Sequence, residues 1–161
     1  MLFMLLNGTI LKAQSPQNIF DNHFEDNTLR YDYIHSGSSD TSFITTHRFI
    51  KEPFWGGSKV NCIDTFLYGK YLIQMVDSST KEVLYSRGYN TLFSEWQTTS
   101  EALTTTKSYT ESVIMPFPKK SVRIEILIRD NQLNFQPWFS TVFDPQSYLT
   151  EHRKPSFDTW S

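Results

Sequence analysis

Between Val122 and Ile128 the chain alternates with a period of two. Val122, Ile124, Ile126 and Ile128 fall on one side, Arg123, Glu125 and Arg129 on the other, and only Leu127 is out of step. Side chains of an extended strand point to opposite faces in turn, so one face of this segment must be buried and the other can meet water. The same rule reads along most of the chain. Leu29, Tyr31 and Tyr33 alternate with Arg30 and Asp32, and Phe43 to Ile50 resumes after the turn residues Ser36-Gly37-Ser38-Ser39-Asp40, which predicts a hairpin. Tyr71 to Val76 and Val83 to Tyr85 flank Asp77-Ser78-Ser79-Thr80, a polar turn of hairpin length. Two later runs are Tyr109 to Met115, closed by Pro116-Phe117-Pro118, and Leu133 to Phe143, preceded by Asp130-Asn131. Proline cannot donate to a strand ladder, so the first of these should stop at Pro116 or lie at a sheet edge.

One stretch departs from the alternation. In Asn90 to Gln97, Leu92, Phe93 and Trp96 stand at helical spacing, with capping-type residues in Thr98 to Ala102, which predicts one short helix or turn crossing between sheets. The expected fold is therefore all-β, a β-sandwich of about seven antiparallel strands with one short helix, and a barrel is the alternative. With 39% hydrophobic and 16% aromatic residues in 161, the chain has apolar material for one sheet-on-sheet core and is too short for a second full domain.

The ends carry less pattern. Met1 to Leu11 is rich in Leu, Met, Phe and Ile and is followed by Ala13-Gln14-Ser15, resembling the apolar region and cleavage zone of a secretory signal, although no basic residue precedes it. Residues 1–14 are thus read as a leader, 15–28 as a linker or arm, 29–145 as the sandwich, and 146–161 as a tail or interdomain linker. Export to the periplasm, the cell surface or the medium is the expectation. A formal net charge of -2 makes nucleic acid a poor partner, and no apolar run reaches the length of a membrane-spanning helix.

Residues that could run a reaction do not assemble in the sequence. His23, His35, His47 and His152 form no HExxH pattern; His35 and His47 could approach across the first hairpin with Asp32 as a third ligand, but nothing indicates the second shell that a metal needs. Gly57-Ser58 lacks the rest of a nucleophile elbow, and Gly56-Gly57 has neither phosphate-loop spacing nor a helix behind it. Cys62, the single cysteine, reads as a buried thiol, and Asp64 and Glu95 are the carboxylates that could face a cleft. No catalytic, cofactor-binding or metal-binding residue is assigned. Tyr31, Tyr33, Phe43, Phe49, Tyr71, Phe135, Phe139 and Phe143 sit on alternating runs and are read as core in preference to a ligand platform. Phe54, Trp55, Phe93 and Trp96 interrupt the alternation. They are candidates for docking a neighbouring domain, the other reading being that both tryptophans cap the ends of the sandwich.

Four stretches carry a family resemblance: Leu29-Arg-Tyr-Asp-Tyr-Ile-His-Ser-Gly37, Lys51-Glu-Pro-Phe-Trp-Gly-Gly57, Asn90-Thr-Leu-Phe-Ser-Glu-Trp-Gln-Thr-Thr-Ser-Glu-Ala102 and Val113-Ile-Met-Pro-Phe-Pro118. Over Leu29 to Pro145 the chain resembles the N-terminal domain that precedes the catalytic domain in the IgA peptidase family of secreted zinc metallopeptidases, most specifically in the Glu95-Trp96-Gln97-Thr98-Thr99 segment. The resemblance implies a β-sandwich accessory domain, with a C-terminal metallopeptidase domain as its partner and the zinc ligands in that later domain. An independent cell-surface module that binds glycan or protein is the alternative function.

Overall fold

The computed structural model describes residues 16–154. In chain order they form α1 (Pro16–His23), β1 (Phe24–Gly37), β2 (Ser42–Pro53), β3 (Tyr71–Asp77), β4 (Val83–Tyr89), α2 (Leu92–Trp96) and a 3-10 turn at Ser100–Leu103. The chain continues as β5 (Lys107–Pro118), β6 (Val122–Arg129), β7 (Phe135–Phe143) and β8 (Glu151–His152). Strands pair in the order β5-β1-β2-β8 in a first sheet and β4-β3-β6-β7 in a second. The two sheets make an all-β sandwich.

The alternation fixes which faces meet. In β6, Val122, Ile124 and Ile126 are buried, and Met75 and Ile73 on β3, the register partners of Ile124 and Ile126, present the same face. In β1, Leu29, Tyr31 and Tyr33 point the opposite way in space and close over them, with Val113 and Met115 beside them on β5. Phe143 on β7 crosses the gap to Phe49 (4.9 Å) and Phe117 (5.7 Å), so rings from both sheets interlock. Cys62 lies in this core, where burial pushes its thiol pKa up, in keeping with an inert thiol.

The predicted hairpins form as read, β1 with β2 and β3 with β4. β5 runs on through Pro116 to Pro118 because it lies at an edge, where two missing N–H donors cost no ladder bond on the solvent side. β7 starts at Phe135 and not at Leu133, because the β6–β7 turn bends Leu133 to φ 65 while Asp130 accepts from the Gln132 and Asn134 amides.

One expectation needs correction. The segment read as an arm, 15–28, contains α1 and the start of β1: Phe20 and Phe24, four residues apart, pack with their rings tilted at 5.7 Å and enter the core. One phenylalanine in a polar octapeptide gives too little pattern to announce a helix. The eight strands, close to the seven or so expected, include Glu151–His152 within the supposed tail, which pairs in parallel with Ile50 and Lys51. With α1, the sandwich carries two short α-helices, in keeping with the all-β class. The proposed leader, 1–14, lies outside the described residues.

The outer face of the first sheet carries a closed circuit of ion pairs. It runs from Arg30 to Asp32 (2.9 Å), to Arg48 (2.9 Å), to Glu151 (3.3 Å), to Arg153 (3.5 Å), to Glu52 (3.4 Å) and back to Arg30 (3.0 Å). Phe49 faces the core, so the pleat sends Ile50 outward, yet Ile50 is fully buried; its register partners are Arg30 and Glu151, both members of the circuit. The aliphatic stems of such long side chains cover apolar surface while their heads pair in the wet layer above.

Candidate functional site

The residues singled out for domain docking divide. Phe93 is 0% exposed and, with Trp96 and Ala102, forms a small second core against Tyr109. The helix that carries Phe93 and Trp96 opens on a capping box in which Thr91 and Ser94 exchange side-chain and backbone bonds, and the Trp96 indole N–H donates to Glu101 at 2.8 Å. Trp55 packs in the main core, edge-on to Tyr85 at 5.9 Å. Only Phe54, 65% exposed, faces solvent. An apolar edge supplied by Trp96, Phe93 or Trp55 is therefore corrected: these rings are covered by their own chain, and α2 does cross between the two sheets.

Behind α2 lies the one histidine the core takes in. His35 stacks on Phe93 with centroids 3.8 Å apart and is flanked by Trp138 and Tyr71. Neither ring nitrogen has a hydrogen-bond partner among the described residues. Burial, reinforced by the nearby Lys70 charge, lowers the His35 pKa from its ordinary 6.5 to about 4. The unfolded chain therefore takes up this proton first as pH falls, so stability is complete above about pH 6.5 and declines by about 1.4 kcal/mol per unit down to about pH 4. The total is about 3 kcal/mol. Urea unfolding at pH 7.5 and pH 4.5 should show this loss, and His35→Phe, which keeps the stack and removes the proton site, should abolish most of it. Parallel pH profiles for the two proteins would remove His35 from this role.

The other candidate chemical groups do not converge. His47 is exposed at the bulge opposite Asp32 and Tyr33, away from the buried His35, and no group of three potential metal ligands occurs among the described residues. Asp32 is committed to Arg30, Arg48 and Ser112. Glu95 stands exposed on α2 and is not among the residues that line the cleft with Asp64. Glu111 faces inward opposite Tyr33, where burial raises its pKa although it accepts the Phe93 N–H at 3.0 Å.

The cleft itself was not foreseen. It has a volume of about 650 Å³ and lies between the 54–70 connection and β4, with Trp55 and Tyr85 at its base and Phe66 and Tyr68 at its rim. The connection is sewn to the strand. Ser86 N–H donates to the Cys62 carbonyl (2.9 Å), Asp64 N–H to Ser86 Oγ (2.9 Å), and Gly88 N–H to Asp64 Oδ2 (2.7 Å). Asp64 Oδ1 also accepts the Phe66 and Leu67 amides. Burial alone would raise the Asp64 pKa, but these amides outweigh it and hold the carboxyl below its usual range. Two glycines permit the close approach: a Cβ on Gly88 would overlap the Tyr68 carbonyl, and one on Gly57 would overlap the Trp55 indole. Only the paired Gly56-Gly57 and the isolated Gly88 hinted at this in the sequence.

Fold and cleft together define a β-sandwich domain with a rigid, aromatic-lined recess at one sheet edge. A family model described as Peptidase M64 N-terminus matches residues 19–140, from α1 into β7, and the chain belongs to that family. This agrees with the resemblance drawn from the sequence motifs. The region matched is the N-terminal one of such peptidases and not the catalytic one. No curated protein matches the chain.

Proposed function

We propose that this chain is the non-catalytic accessory domain of an exported M64-type zinc metallopeptidase, supporting or orienting a catalytic domain that follows it in full-length relatives. The observation that carries the reading is that the family match, 19–140, spans most of the folded sandwich, from α1 into β7. The buried Asp32 and the half-buried Asp64 support it, since the hydrogen bonds that hold both carboxylates are structural ones. A second reading, an independent cell-surface module that binds glycan or protein, is favoured by the aromatic-lined cleft.

The purified chain is expected to hold no stoichiometric zinc and to leave casein intact, by elemental analysis and by peptide release. Added to the separately produced catalytic domain of a family member, it should raise that domain's melting temperature or its turnover. One zinc per chain together with casein cleavage would sink the accessory reading.

A further inference from the structure

We infer that the cleft between the 54–70 connection and β4 binds an oligosaccharide, with pyranose faces laid against the Phe66 and Tyr68 rings. This rests on the second reading above, the binding module. Phe66 and Tyr68 are 75% and 76% exposed, although each could contribute to a core. A single exposed aromatic is ordinary, but these two stand together with near-parallel planes (13°) and centroids 5.9 Å apart. Although the two rings stack on one another, their high exposure leaves each with an open face. Leu67 between them adopts φ 54, a left-handed backbone that a branched side chain rarely takes.

The platform is also held in place before any ligand arrives. Asp64 fixes the amides of Phe66 and Leu67, and the Arg129 guanidinium donates to the carbonyls of Leu67 and Gly69. A recognition surface that is already ordered loses little freedom on binding. Below the rings, Asn61, Thr65 and Arg87 bring amide, hydroxyl and guanidinium groups to the walls, a mixture suited to sugar hydroxyls. The volume falls in the range of small-ligand sites.

A peptide fits less well. An extended peptide would add to the open edge of β4, but the outward amides of Ser86 and Gly88 are already taken by Cys62 and Asp64 of the connection. What remains is a stacking surface with polar walls and no backbone edge.

Trp55 lines the cleft and reports on its occupancy. Tryptophan emission and calorimetry should be followed during titration with hexasaccharides of glucose, mannose and N-acetylglucosamine and with glycans released from mucin, alongside casein-derived peptides. At least one sugar should bind, and Phe66→Ala and Tyr68→Ala should each weaken it by about tenfold with an unchanged melting temperature. Binding that survives the double substitution would overturn the inference. Peptide binding lost in the same variants, with no sugar bound, would overturn it and leave the binding-module reading standing. No ligand of either kind would remove both, without touching the accessory reading.

Discussion

Asp32→Ala is expected to lower the unfolding free energy by about 3–5 kcal/mol, the cost of breaking a buried, hydrogen-bonded ion pair from one side. The carboxylate is 2% exposed; Arg30 grips both of its oxygens at 2.9 Å, Arg48 adds a third bond at 2.9 Å and Ser112 a fourth at 2.7 Å. Removing it leaves two guanidinium groups facing each other, and Arg30, being mostly covered, has little water to turn to. Arg153→Ala, at the exposed rim of the same circuit, should cost less than about 1 kcal/mol. Burial pushes the Asp32 pKa up, yet the bonds from Arg30, Ser112 and Arg48 hold it well below the usual carboxylate range. Its contribution is therefore present above about pH 4 and is lost as pH falls through the depressed folded value. Urea unfolding of both variants decides the matter: equal losses would mean that the centre of the circuit is no stronger than its edge.

Phe93→Ala and Trp96→Ala should each destabilise the isolated chain by about 3–5 kcal/mol, as expected for a large ring removed from a packed interior. Phe93 touches His35, Trp96 and Tyr109, so its loss opens a cavity between α2 and the first sheet. Trp96 would also leave Glu101 without its indole donor. Phe54→Ala should fall within about 0.5 kcal/mol, since that ring projects into solvent. Thermal melts of the three variants test this directly. If Trp96→Ala melts with the wild type, the ring is not part of a core, and a docking role for it would have to be restored.

How much could be read in advance depended on whether a residue's role was local. Val122 to Ile128 announced its buried face because pleating is a nearest-neighbour property, and the same holds for Tyr31 and Tyr33. Leu92 to Trp96 were legible as a short helix for a similar reason, since their spacing sits within one turn, whereas the cap proved to be Thr91 and not a residue of Thr98 to Ala102. Phe20 and Phe24 were not, because what makes α1 an element is the open end of a sandwich built from other parts of the chain. The cleft was illegible for the same reason. Asp64 looks like any loop acid until Gly88, 24 positions on, delivers an amide to it, and Phe66-Leu67-Tyr68 has no period to distinguish a platform from a strand. Ser86 and Cys62 likewise acquire meaning only through the crossing of the connection over β4. The aromatic residues read as core were mostly so, but Phe43 is among the exposed ones, a cost of assigning faces by alternation near a bulged strand.

The strand order of the first sheet has a consequence for how the chain reaches this state. β1 meets β2 through a short turn, but its other neighbour is β5, where Tyr31 pairs with Val113, about half the chain length away. Loops of that span close slowly, and all-β domains dominated by such pairings fold in roughly milliseconds to seconds. During synthesis, one long edge of β1 stays unpaired until Lys107–Pro118 has emerged, although the β1–β2 hairpin forms early. Through that interval Leu29, Tyr31 and Tyr33 line an incomplete sheet, the kind of intermediate that chaperones bind and that pairs edge to edge with its own copies when crowded.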